Sequence, residues 1–191
     1  YHVLNRAAGR ATLFEKDADY EAFEHVLEQA YQRCGVRMLC YCVMPNHWHL
    51  VLWPRRDDEL SEYMRWLTVT HTQRWHANHH TAGTGPLYQG RFKSFPVQDD
   101  NHLLRVCRYV ERNALRAGLV QRAEAWPWGS LMRRRQAKAD GGGLLLSPDQ
   151  WPVEPPRNWV AAVNAAESGE ELEALRKSVH RGAPYGHANW Q

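Results

Sequence analysis

The stretch VRMLCYCVMPNHWHLVLW, positions 36–53, constrains this chain more than any other. It is rich in apolar and β-favouring side chains, and Pro45-Asn46 interrupts it once. It therefore reads as two neighbouring strands, 36–43 and 47–53, joined by a tight turn into a hairpin. Strand side chains alternate in direction, so His47 and His49 share one face while Trp48, Leu50 and Leu52 share the other and can cover a core. Two imidazoles on one face of a rigid strand can offer neutral nitrogens to a single metal ion. Taken alone, a His-x-His pair is more often two hydrogen-bonded histidines, and the choice between the readings lies elsewhere in the chain.

The elements around the hairpin define a fold class. Residues 2–6 (HVLNR) are short and β-like, with a polar turn around Gly9. Asp17 or Asp19 can cap a helix whose apolar positions Tyr20, Phe23, Leu27, Ala30, Tyr31 and Cys34 keep helical spacing up to Gly35. Leu60, Tyr63, Met64, Leu67, His71, Arg74 and Trp75 trace a second helical face, ending in NHHTAGTGP. The histidines there, His76, His79 and His80, read as a solvated helix end. Residues 91–97 read as a fourth strand, and Asp99 or Asp100 can cap a third helix running to Gly118. The order β-α-β-β-α-β-α predicts an α+β, ferredoxin-like (RRM-like) antiparallel sheet with helices packed on it, plus an added helix after the last strand. Residues 136–158, with GGG, SPD and VEPP, read as a linker or insertion, and 158–180 as a final helix before the tail RGAPYGHANW.

Composition excludes more than it identifies. No apolar run approaches the ~20 residues that span a bilayer. The start of the chain has no charged-then-apolar leader, so the expected home is cytoplasmic. Cys34, Cys40, Cys42 and Cys107 have no CxxC spacing and are expected to be reduced thiols. The net charge is only +3, yet residues 85–135 hold ten Lys or Arg against four acids. That local excess, interleaved with Tyr88, Phe92, Trp126 and Trp128, suggests a polyanion partner, because rings stack on bases while cations hold phosphates.

The third helix sharpens the meaning of the histidines. Leu103, Val106, Cys107, Val110, Ala114 and Ala117 cluster as its buried stripe. Tyr109 and Asn113, four residues apart, lie together on the flank of that stripe. Arg105, Arg108, Arg112 and Arg116 occupy the sector beyond. One helix thus offers a core stripe, a phenol beside an amide oxygen, and a cationic strip suited to phosphates. An amphipathic helix with a tyrosine at the rim of the core explains the same pattern equally well.

MPNHWHLVL, LYQGRFKSF and RYVERNALRAGLV, in this order and spacing, resemble the REP-associated tyrosine transposases, a branch of the single-tyrosine HUH nucleases. AWPWGS and the late RGAPYG are similar to further motifs of that family, so the resemblance covers most of the chain. It implies a bacterial, nucleoid-associated nuclease and strand transferase that acts on single-stranded DNA at hairpins formed by repetitive extragenic palindromes. It implies that His47, His49 and Asn113 are ligands of a divalent ion, Mg²⁺ or Mn²⁺, and that Tyr109 is the nucleophile, giving a 5′-phosphotyrosine link and a free 3′-OH. Residues 1–135 would then be the nuclease domain, with 159–191 a C-terminal helix and tail packed on it.

Arg91, Lys93, Arg105, Arg108, Arg112 and Arg116 are the expected contacts to DNA, and Asn46 is a candidate for steadying His47, although a turn role explains it as well. Monomer and homodimer both remain compatible with the chain. Two rivals stand beside this reading. One is a module that binds DNA or RNA hairpins without cutting them. The other is a metal-dependent hydrolase using water in place of Tyr109.

Overall fold

The hairpin strands on either side of Pro45-Asn46 are held by a turn that other segments grip. The carbonyl of Pro45 accepts from the amides of Leu13 (2.7 Å) and Phe14 (3.1 Å), and that of Asn46 from Ala7 (2.9 Å). The computed structural model describes residues 1–136, 143–187 and 189–190. Strands β1 (His2–Arg6), β2 (Arg37–Met44), β3 (His47–Trp53) and β4 (Lys93–Phe95) form one antiparallel sheet in the order β2-β3-β1-β4. With helices α1 (Asp17–Cys34) and α2 (Glu59–His79) as crossovers, this is the ferredoxin-like arrangement that the element order predicts. Helix α1 stops where Gly35 takes φ 71° and its amide bonds the Tyr31 carbonyl at 2.7 Å, a left-handed cap that favours glycine.

The sheet is buried on both faces. Val3, Met38, Tyr41, Val43, Trp48, Leu50 and Leu52 face α1 and α2, meeting Phe23, Leu27, Tyr63 and Leu67. Leu39, Cys40, Cys42, Met44, Val51 and Phe95 face helix α3 (Asn101–Glu111), meeting Leu103, Val106, Cys107 and Val110. At about 1.5–3 kcal/mol for each large side chain removed from water, these two layers supply the main stabilisation of the sheet. A bulge between Met38 and Cys40 turns both Leu39 and Cys40 toward α3, so β2 serves both layers despite strict alternation elsewhere.

Several elements differ from their expected extents. Strand β4 has only three residues, starting at Lys93 and ending where Pro96 has no amide to continue the ladder. The third helix is broken at Arg112 (φ −84°, ψ −2°), after which a single turn, α4 (Asn113–Arg116), follows. Helix α5 (Ser130–Gln136) comes next. The expected final helix is two, α6 (Trp159–Asn164) and α7 (Gly169–Arg181), separated at Ala165, whose backbone is extended, and restarted by the Ser168 cap on Glu171. The expected linker is partly packed: Leu144 and Trp151 are buried, and Leu146 bonds the Met38 carbonyl at 2.8 Å. Residues 137–142, with two of the three glycines, lie outside the described residues. No helix among the described residues is long and apolar enough to cross a membrane.

Behind β3 a buried hydrogen-bond chain crosses the core. Trp48 Nε1–H donates to the Tyr88 hydroxyl (3.0 Å), which is hydrogen-bonded to His71 Nδ1 (2.6 Å). The Tyr88 hydroxyl thereby links the indole to the buried imidazole of His71. Burial pushes the His71 pKa down to about 3, far below the ordinary value near 6.5 of the unfolded chain. Below pH ~6.5 the unfolded state therefore binds one more proton at this position than the folded state does, and stability falls with falling pH at roughly 1 kcal/mol per unit. In denaturant titrations between pH 6.5 and 5, His71→Phe is expected to show a shallower decline by about one proton. An unchanged slope would mean that His71 is not buried neutral.

Candidate active site

The register of three strands brings polar groups to the α3 face of the sheet. Directly paired residues share a face, so Arg6 lies beside His47 and Leu4 beside His49, with Lys93 next to Leu4. The ring centroids of His47 and His49 are 5.1 Å apart at 87°. Tyr109, brought over by α3, sets its ring edge-to-face against His49 at 5.9 Å and against His2 at 6.2 Å. Asn113 follows one helical turn later, beyond the break at Arg112. The structure thus joins His47, His49 and Tyr109 from distant parts of one chain.

Both histidines are oriented through Nδ1. That of His47 bonds Asn46 Oδ1 at 2.7 Å, and that of His49 bonds His2 Nε2 at 2.9 Å. An amide oxygen can only accept, so His47 carries its proton on Nδ1 and presents a free lone pair on Nε2. This is the arrangement found around metal-binding imidazoles, whose second nitrogen is fixed by a neighbour. Burial lowers the pKa of His47 to about 4, aided by the charges of Arg6 and Arg116. It holds His49 well below the ordinary range and His2 at about 3. All three rings are neutral near pH 7, as metal ligation requires.

By residue type, two imidazoles and an amide suit a divalent ion. Asn113 is buried and its Nδ2 has no hydrogen-bond partner among the described residues. Two imidazoles and one amide leave coordination positions open for phosphate oxygens and water. Among the described residues, the geometric cluster of His, Asp, Glu or Cys that most resembles a metal site is elsewhere, at Asp100, His102 and His187.

The cationic strip has partners within the chain. Arg108 donates to the carbonyls of Ala165 (2.7 Å) and Ala166 (2.8 Å), and Arg112 to those of Val163 (2.9 Å) and Asn164 (2.7 Å). Arg116 reaches Glu167 Oε2 at 3.2 Å and the Tyr109 carbonyl at 3.2 Å, while its guanidinium lies 4.0 Å from the centre of the Tyr109 ring. Arg105 is paired with Glu171 at 3.0 Å on the surface. Lys93 is exposed and donates to the His180 carbonyl at 3.2 Å, and Arg91 is exposed next to Phe92.

Three contributors were not legible as site residues: His2, Arg6, and Arg116 as a partner of the tyrosine. The parity of HVLNR puts His2, Leu4 and Arg6 on one face, and that was the available signal, but only the pairing of β1 with β3 aims it at the histidines. Removing the Asn46 carboxamide should free the His47 ring. Asn46→Ala is expected to weaken Mn²⁺ binding by about 10–100-fold, measured from the electron paramagnetic resonance signal of free Mn²⁺, with the fold unchanged. Equal affinity would remove Asn46 from this role.

The chain also resembles known proteins. A family described as "Transposase IS200 like" matches residues 1–113. A Haemophilus influenzae protein named as a REP-associated tyrosine transposase is 23% identical over 141 residues, covering 70% of this chain and 76% of that one. A solved structure of a REP-associated tyrosine transposase bound to a REP hairpin has a TM-score of 0.58 at 18% identity, covering 76% of this chain and 86% of that one, and so shares the fold. The family match runs from the first strand through both histidines and Tyr109 and ends on Asn113, more than half of the sequence, and the chain belongs to the IS200-like transposase family.

Proposed function

We propose that this protein is a metal-dependent single-stranded DNA endonuclease and strand transferase that acts at hairpins of the REP type, with Tyr109 as its nucleophile. The observation that carries the reading is the Tyr109 ring, 5.9 Å from that of His49 in the same chain, above a histidine pair whose Nδ1 atoms are both engaged. In this reading His47, His49 and Asn113 would hold the ion. When bound, Mg²⁺ or Mn²⁺ supplies Lewis acidity and a template for the phosphodiester oxygens. Membership of a transposase family and a hairpin-bound structural neighbour support DNA of this kind as the substrate. Such a substrate puts the protein in the bacterial cytoplasm, at the nucleoid.

The chain's own residues account for the rest of the step. A free phenol, with a pKa near 10, is a weak nucleophile at neutral pH, so placement matters more than intrinsic reactivity. The Tyr109 ring packs against His49 and lies under the Arg116 guanidinium, which together hold it beside the histidines. Arg6 and Arg116 make the pocket electropositive where a phosphate would enter. The Tyr109 oxygen bonds to phosphorus and loses its proton. The bond from phosphorus to the 3′ oxygen breaks, and that oxygen gains a proton to become the free 3′-OH. The reverse step rejoins strands without a nucleoside triphosphate, because the covalent link retains the energy of the phosphodiester.

Arg91, Lys93 and Arg105 are the cations best exposed for the DNA backbone, and Lys93 shares the face of His49 at two strand spacings, roughly 10 Å. Arg108, Arg112 and Arg116 act on DNA, in this reading, by holding the helix and the tyrosine.

Two experiments test the proposal. A hairpin labelled on the 3′ side of its cleavage point, incubated with the protein and Mn²⁺ and run on a denaturing gel, should give a covalent protein–DNA band. Tyr109→Phe should lose that band completely, and His49→Ala should lose it by at least ~100-fold. Cleavage that persists in Tyr109→Phe without an adduct would favour water as the nucleophile, and hairpin binding without cleavage in the unaltered protein would favour a binding module. In a salt titration of hairpin affinity, Lys93→Ala should reduce the logarithmic salt slope by about one. A slope unchanged by Lys93→Ala and Arg91→Ala alike would remove this edge from the DNA path.

A further inference from the structure

At the opposite end of α3 from Tyr109, a second polar cluster joins the helix to the tail of the chain. Val97 and Tyr185 pair as a parallel bridge, with Tyr185 donating to the Pro96 carbonyl (3.0 Å) and Gln98 to that of Tyr185 (3.0 Å). The His187 amide then bonds Gln98 Oε1 at 2.8 Å. Backbone pairing thereby delivers His187 onto the first turn of α3, where its ring meets that of His102 at 4.7 Å and 83°.

The carboxylate of Asp100 stands between the two rings. Its Oδ1 caps the helix by accepting from the His102 amide at 2.7 Å and also meets His102 Nδ1 at 2.7 Å. Its other oxygen, Oδ2, lies 3.4 Å from His187 Nε2. One donor atom from each of Asp100, His102 and His187 falls within 4.8 Å of the others. Ligands of a tetrahedral ion with bonds of about 2 Å stand about 3.3 Å apart, so the pair formed by Asp100 Oδ2 and His187 Nε2 already has ligand spacing.

We propose that Asp100, His102 and His187 form a transition-metal site of the Zn²⁺ type that locks the C-terminal tail onto the start of α3. Two imidazoles and a carboxylate match the nitrogen and oxygen preference of Zn²⁺, with water in the fourth position. A bare cation is disfavoured at a helix N-terminus, and the Asp100 carboxylate offsets that by lying between the ion and the helix. The site is distinct from the histidine pair on β3: seven residues, about 10 Å of helix, separate His102 from Tyr109. Its effect is mechanical, fixing the first turn of the helix that carries the tyrosine, and it stands whether or not Tyr109 is the nucleophile.

Co²⁺ reports on tetrahedral sites through visible absorption. In a His47→Ala, His49→Ala double variant, one equivalent of Co²⁺ should give a tetrahedral band that Zn²⁺ displaces. Adding His187→Ala should abolish the band and weaken Zn²⁺ binding by roughly 100-fold or more. His187 has a side chain 71% exposed, so the melting temperature of the metal-free protein should stay the same, which separates a lost ligand from a lost fold. In the unaltered chain, Zn²⁺ should also slow hydrogen exchange at the amides of Tyr185 and His187, and not in His187→Ala. No band in the double variant, or a band undiminished by His187→Ala with the ion held by His76, His79 and His80 instead, would overturn the proposal.

Discussion

A β-strand must send successive side chains to opposite faces, and β3 uses that constraint to build two different environments on one backbone. On one face, Trp48, Leu50 and Leu52 are buried against α1 and α2, with the Trp48 indole tied through Tyr88 to His71. On the other, His47 packs against His49, which meets Tyr109. The rigid apolar layer behind the strand fixes the backbone that aims the two imidazoles. A slip of one residue would exchange core and site, so burial of Trp48 and presentation of the histidines are the same event.

The helix that brings Tyr109 is anchored by a buried charge two residues further on. Glu111 is buried, and its carboxylate accepts from Ser130 Oγ (2.5 Å), Arg134 Nη1 (2.5 Å) and Trp159 Nε1 (2.6 Å). Those donors come from α5 and α6, so one carboxylate gathers two helices around the helix that carries Tyr109. Leaving such a group without its cation typically costs about 3–5 kcal/mol, whereas here both carboxylate oxygens have donors. The arginines 108, 112 and 116 extend the anchor by binding the carbonyls and carboxylate of residues 163–167. The chain beyond residue 135 thereby becomes part of the support for the site.

Much of the site was legible because its signals are local. Period-two alternation in HWHLVLW put His47 and His49 together, and four-residue spacing put Tyr109 beside Asn113. The strand order followed from the sequence of elements, and the bulge at Leu39, the short β4 and the break at Arg112 did not. Pro96 marks the end of β4 in hindsight, but an extended residue next to it reads as strand until the ladder is seen. The arginine sector was placed correctly around the helix while its partners were not. Nothing near Arg108 or Arg112 announces that carbonyls from a much later segment will occupy them.

The sequence by itself determined which side chains travel together, since strand and helix periods are properties of a few consecutive residues. It separated core from site on β3 and grouped the phenol with the amide on the last helix of the sheet. Only the tertiary structure decided what each group meets: His2 behind His49, Arg6 beside His47, Arg116 over Tyr109, and the tail over Asp100. These depend on register between strands and on packing across long stretches of chain, where the free energy comes from burying whole faces and is not written in any one segment.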